Sequence, residues 1–184
     1  MMDAMLRFGP TLCLLAVAAY FDLRSGLIPN RIAIAGLFVL LPMQLITQAY
    51  LSRQGFASLP LLLVTSAAGL LVCSVAPLAL YFANGMGGGD VKLLAVLGAL
   101  AGPTVGIEVE LYAFLLIALY ALAKLAYRGR LLSMLASTLG LTRNAFLPKD
   151  RRKPIPSELL TSLRFAPAVL VAMVLISSLE IWAP

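Results

Sequence analysis

Two aspartates stand where an apolar chain seldom keeps a charge. Asp90 closes the glycine cluster of Gly85-Met86-Gly87-Gly88-Gly89-Asp90-Val91-Lys92-Leu93-Leu94, and Asp22 opens Asp22-Leu23-Arg24-Ser25-Gly26-Leu27-Ile28-Pro29-Asn30. Both adjoin long apolar segments, and an ionisable residue at such a boundary is a functional candidate by default. The glycines leave a backbone that can bend and be approached closely, so Gly87, Gly88 and Gly89 form a candidate substrate-approach loop. Two carboxylates brought together cannot easily ionise at once; one keeps its proton and the pair titrates as a unit. Such a pair offers a base and an acid together. The ionised member takes a proton from water, which attacks an amide carbonyl. The protonated member polarises that carbonyl and then helps protonate the leaving nitrogen. Either acid can hold the proton on this reading.

Each residue also has a plainer explanation. Asp22 alone could pair with Arg24 or Arg31 at a helix end, and Asp90 alone could cap its helix. Asn30 is placed to cap the helix that follows Pro29. Lys92 could meet Asp90 or a substrate acid, although a lysine snorkelling to the interface is the simpler account. Arg24, Asn30 and Lys92 are therefore supporting candidates. Capping does not explain why both acids should share one face.

That sharing follows from the elements around them. Of the 184 residues, 61% are hydrophobic and only 12% charged, against about a quarter charged in ordinary globular domains. The apolar runs approach or exceed the roughly 18 residues a transmembrane helix needs, and they do not alternate as barrel strands would. The expectation is an all-α, polytopic membrane bundle of about six helices, forming a single domain over residues 1–184. The spans read as Ala4–Phe21, Arg31–Leu51, Leu59–Phe82, a short helix opened by Asp90 and ending near Gly102-Pro103, Val109–Tyr127 and Phe165–Trp182. Ala16-Val17-Ala18 has the form of a signal-peptidase site, but the residues before it lack the usual positive character, so the first run reads as a membrane helix. Asp22 ends span one and Asp90 begins span four. Two complete crossings separate them, so parity returns both to the same side.

The net charge of +6 is explained by orientation rather than by nucleic acid. Of the 14 Lys and Arg residues, only Arg7 and Arg53 fall on the side of the termini. The positive-inside rule then puts both termini outside and the loop Arg128–Glu158 in the cytoplasm. Spaced leucines in that basic loop fit an amphipathic surface helix, and a short soluble hairpin fits equally. Asp3, Glu108, Glu110 and Glu180 read as lying near the outer ends. The absence of histidine excludes Ser-His and Cys-His catalysis and histidine metal sites. Cys13 and Cys73 lie inside apolar runs and suit neither a disulfide nor a zinc site. No cofactor or metal is expected.

Gly87-Gly88-Gly89-Asp90 has the G-x-G-D form of the membrane-embedded aspartic proteases. With Val91-Lys92-Leu93 and Asp22–Asn30, it resembles the type IV prepilin peptidases, as does Leu163–Ala172 in the last helix. The resemblance implies a bacterial inner-membrane endopeptidase that removes the short basic leader of prepilins or pseudopilins on the cytoplasmic side, usually after a glycine. It carries the catalytic roles to Asp22 and Asp90. The longer family form has an added N-terminal region with paired Cys-x-x-Cys motifs, accompanying N-methylation of the new terminus. This chain lacks those motifs, so methyltransferase activity is not expected, and the short architecture is similar to the peptidases of tight-adherence (Flp) pili. Two other readings stand beside it. One is a small ion-coupled transporter, which would want acids near the bilayer midplane. The other is a non-catalytic assembly subunit of a secretion or pilus system.

Overall fold

The structure is a computed structural model that describes residues 2–52, 55–83, 85–127 and 164–182. Every regular element among them is helical. In chain order they are α1 (Met2–Ser25), α2 (Asn30–Ala35), a π-helical turn (Gly36–Leu40), α3 (Leu41–Leu51), a 3₁₀ turn (Gly55–Ser58), α4 (Leu59–Phe82), α5 (Gly88–Ala101), α6 (Pro103–Tyr127) and α7 (Ala166–Trp182). Asn30–Tyr50, Gly55–Phe82 and Pro103–Lys124 are each long and apolar enough to cross a membrane. The chain is an all-α membrane bundle. The basic loop 128–158 lies outside the described residues, as do Arg53, Asn84 and the side chains of Asp3, Glu180 and Trp182.

Between α2 and α3 the helix widens into its π turn just ahead of Pro42. Proline lacks the N–H of a continuing helix, and its ring crowds the carbonyl four residues back, here that of Phe38 inside the π turn. Gly36 opens this turn against two neighbours: a methyl on it would meet Val96 Cγ1 at 2.7 Å and Leu14 Cδ1 at 3.0 Å.

The described chain falls into two compact units, Met1–Phe114 with Arg164–Pro184, and Leu115–Leu163. In the second, the described part is the end of α6, where Lys124 lies over the Tyr120 ring at 5.9 Å. In the first, α5 is the most enclosed element, with Leu93, Leu94 and every residue from Val96 to Ala101 buried. Helix α4 packs along α5, and α1 packs along α7. In lipid, apolar burial gives helices little reason to associate, so close backbone approach carries the packing. Gly69 of α4 and Gly98 of α5 face each other, each backbone filling the space where the other's side chain would stand, and Cys73 and Gly106 complete the crossing.

Helix α5 has 14 residues and is about 21 Å long, shorter than a hydrocarbon core of roughly 30 Å. Its last carbonyls therefore need partners. Gln44, buried in α3, donates from Nε2 to the Leu100 carbonyl at 2.6 Å and to the Arg7 carbonyl at 3.0 Å. One side chain thus binds the ends of α1 and α5 to α3. Gly102, at φ 84°, turns the chain, and α6 then begins at Pro103 rather than at Val109. Proline suits the first helical position because its missing N–H would have no partner there. The longer helix changes the reading of Glu110. Instead of lying at an outer end, it is buried within α6.

Candidate active site

Helix α1 does not stop at Asp22; it continues to Ser25. The Gly26 N–H donates to the Asp22 carbonyl at 2.9 Å, and Gly26 takes a left-handed φ of 67°, a common way for a helix to end. Leu15, Ala18 and Asp22 are all buried, as their spacing of three and four residues along one helical face requires. Asp22 is 5% exposed, and a carboxylate so enclosed needs a hydrogen-bond donor. The donor is the backbone of Ala166, whose N–H reaches Asp22 Oδ2 at 3.1 Å.

Ala166 is the first residue of α7. Its N–H is one of the four that a helix start leaves without an internal partner, at the positive end of the helix dipole. The Phe165 carbonyl begins the helix by accepting the N–H groups of Ala168 and Val169 at 3.0 and 3.2 Å. One residue earlier, Arg164 Nη1 donates to the Leu23 carbonyl. Leu23 sits in the last turn of α1, where carbonyls lack internal partners. The end of α1 and the start of α7 are therefore tied by two bonds, and Asp22 is the acceptor in one of them.

Asp90 is held by its own helix start. Gly87 is the N-cap, with extended backbone at φ −76° and ψ 146°, and Asp90 follows three residues later. The Asp90 N–H donates to the Gly87 carbonyl at 3.1 Å, and the Gly87 backbone pulls the Asp90 carboxyl downward. Asp90 thus stands where the acid of a capping box would, three residues after the N-cap, with aspartate in the place of glutamate. The capping role and a catalytic one are compatible, since a carboxyl has further lone pairs.

The stretch between α1 and α2 lies against this helix start. A methyl on Gly89 would meet Ile28 Cβ at 3.2 Å and the Ile28 carbonyl oxygen at 3.4 Å. Of the three loop glycines, Gly89 therefore has its bare face covered by the chain itself. Gly87 leaves room for the Asp90 carboxyl, 3.2 Å from where a methyl would be, and Gly88 borders Tyr81. Lys92 Nζ donates to Asn30 Oδ1 at 2.9 Å, fastening the start of α5 to the start of α2. Asn30 is thus no cap: Pro29 holds the N-cap position and no side chain caps α2. Because the helix starts one residue early, the Asn30 amide is free to meet Lys92. Arg24 turns back along α1 to the Tyr20 hydroxyl at 3.0 Å.

The two acids feel each other. Asp90 is half-buried and lies outside the three long apolar helices. Burial, and after it the charge of Asp22, push the Asp90 carboxyl up to about 6, against the opposing pull of the Gly87 backbone. Two carboxyls from separate helices thus lie within each other's field at one site, and Asp22 carries a backbone donor from α7. Among the described residues no cluster of three or more His, Cys, Asp or Glu could hold a metal. Sequence reasoning missed Arg164 and the Ala166 N–H. Pro167 marks a helix start and therefore a set of unpaired N–H groups, but no local pattern says which acid they meet. A profile of the type IV leader peptidase family matches residues 11–122. No curated protein and no solved structure matches the chain.

Proposed function

The chain belongs to the type IV leader peptidase family, and from that membership we propose an aspartic endopeptidase with Asp22 and Asp90 as its catalytic pair. Its substrates are prepilins or pseudopilins, cut behind a short basic leader at the cytoplasmic face of the inner membrane. Both termini lie outside. What supports the reading is that the Asp22 charge reaches the Asp90 carboxyl, so two acids drawn from α1 and α5 act on each other. The carboxylate member removes a proton from water, and the resulting hydroxide adds to the scissile carbonyl carbon. The protonated member gives its proton to the carbonyl oxygen, forming a tetrahedral diol. Collapse breaks the carbon–nitrogen bond: the first acid passes its acquired proton to the amine, and a diol hydroxyl returns a proton to the second. No cofactor is needed for this cycle.

A prepilin carries an apolar helix behind its leader, which sets the scissile bond at the membrane boundary, the depth expected of both acids. Arg24, Asn30 and Lys92 act in support by shaping the rim. The test is co-expression with a candidate prepilin from the same organism, following leader loss by gel shift. Asp22→Asn and Asp90→Asn should each abolish the shift while the protein still inserts. Normal processing by either variant, without wild-type enzyme present, rejects the assignment.

A further inference from the structure

We propose that Arg164 and the Ala166 N–H are positioning groups that make Asp22 the general base and leave the shared proton to Asp90. The inference rests on the peptidase reading and divides its labour. It starts from the two bonds that join the end of α1 to the start of α7.

Asp22 Oδ2 already accepts an N–H from Ala166. An oxygen engaged in this way, at the positive end of a 17-residue helix, is a poor place for a second proton. Its other oxygen stays available to take a proton from water. Among the described residues no helix start from elsewhere in the chain donates to Asp90, whose carboxyl is raised by burial and by its neighbour's charge. The asymmetry therefore lies in the start of α7, which meets Asp22, rather than in the residue types. Arg164 acts one step removed. Its guanidinium grips the Leu23 carbonyl, next to Asp22 in the chain, and so fixes the start of α7 against the turn that carries the acid. Arg164 itself is exposed. Among the described residues, the charge shown to couple with Asp22 is Asp90 on α5; of the cations on the adjoining elements, Arg24 is turned to Tyr20, Arg164 holds the Leu23 carbonyl and Lys92 is engaged by Asn30.

The decisive experiment deletes one hydrogen. Replacing Ala166 by its α-hydroxy analogue turns the amide into an ester and removes the N–H with almost no change of shape. The full-length enzyme, purified in lipid, is given a membrane-anchored peptide with a basic leader, a glycine at the cut and an apolar helix. Loss of a charge-assisted donor should lower kcat about tenfold to a hundredfold with KM unchanged, and the acid-side limb of the pH–rate profile should move to higher pH. Arg164→Leu should lower kcat in the same direction, and Arg164→Lys, which can still donate to Leu23, should restore most of it. An ester enzyme with wild-type kcat and an unmoved acid limb overturns the assignment, as does an Arg164→Leu enzyme equal to wild type. The peptidase reading fails separately, if Asp22→Asn or Asp90→Asn still cleaves the peptide.

Discussion

Gly98→Ala gives the sharpest test of how α5 is held. A methyl on Gly98 meets Cys73 Cβ at 2.7 Å and Sγ at 2.8 Å, and it overlaps the Gly69 carbonyl more deeply still. Real Cβ atoms essentially never approach within 3.0 Å. Gly69 offers backbone, which cannot swing aside as a flexible side chain would. Helices α4 and α5 must then part by about 1 Å, and a gap of that order forfeits a quarter to a half of each contact's attraction. Overpacking of this kind costs about 1–3 kcal/mol, which for a chain of this size lowers Tm by roughly 2–12 °C. The same substitution at Gly9, where nothing lies within 4 Å, should do the opposite, because alanine is favoured over glycine inside a helix by about 0.5–1 kcal/mol. Thermal unfolding of both variants in one detergent reads the difference. Cleavage supplies a second reading: α5 begins at the turn holding Asp90, and a shift of about 1 Å at reacting groups can cost about a hundredfold in rate. A Gly98→Ala protein as stable as the Gly9→Ala protein would refute the backbone-to-backbone account of the crossing.

Four further predictions concern titration and the buried amide. On the proposed division of labour cleavage needs a proton on Asp90, so the rate should fall on the alkaline side as pH rises through about 6. Because the carboxyl is raised in the fold, the folded chain binds that proton more tightly than the unfolded one. The associated stability is present at low pH and is lost as pH rises toward 6. Asp90→Asn should therefore raise Tm near neutrality, with the gain shrinking toward pH 4, as a thermal series across pH would show. Asp22→Asn removes the neighbouring charge but not the burial, so the Asp90 carboxyl band in infrared difference spectra should titrate lower while staying above an ordinary aspartate. Gln44→Leu keeps the volume but strips the Leu100 carbonyl of its donor, and a buried polar atom left unpaired costs about 1–3 kcal/mol. Equal unfolding temperatures for Gln44→Leu and wild type would count against Gln44 as the clamp on the end of α5.

The long apolar runs declared the helices in the sequence, and α4 falls on the residues expected of it, Leu59–Phe82. Parity of crossings predicts one side for Asp22 and Asp90, and in the structure the charge of Asp22 reaches the Asp90 carboxyl. What stayed hidden depends on partners far apart in the chain. Gly69 and Gly98 are single glycines in apolar helices, and only the crossing gives them meaning. Gln44 stands alone in an apolar run, and nothing local says that Leu100, 56 residues away, is the residue whose carbonyl it meets. Asn30 had the right type for a cap but stands one residue inside the helix, so its amide met Lys92 instead. Glu110 was misplaced because Pro103 reads equally well as the end of one helix and the beginning of the next.

The bond between Asp22 and Ala166 spans 144 positions of the chain. A ribosome therefore releases this acid well before the backbone group that meets it. Until α7 is made and enters the bilayer, Asp22 lacks the donor that holds it. This corner of the bundle closes only when two segments made far apart in time come together.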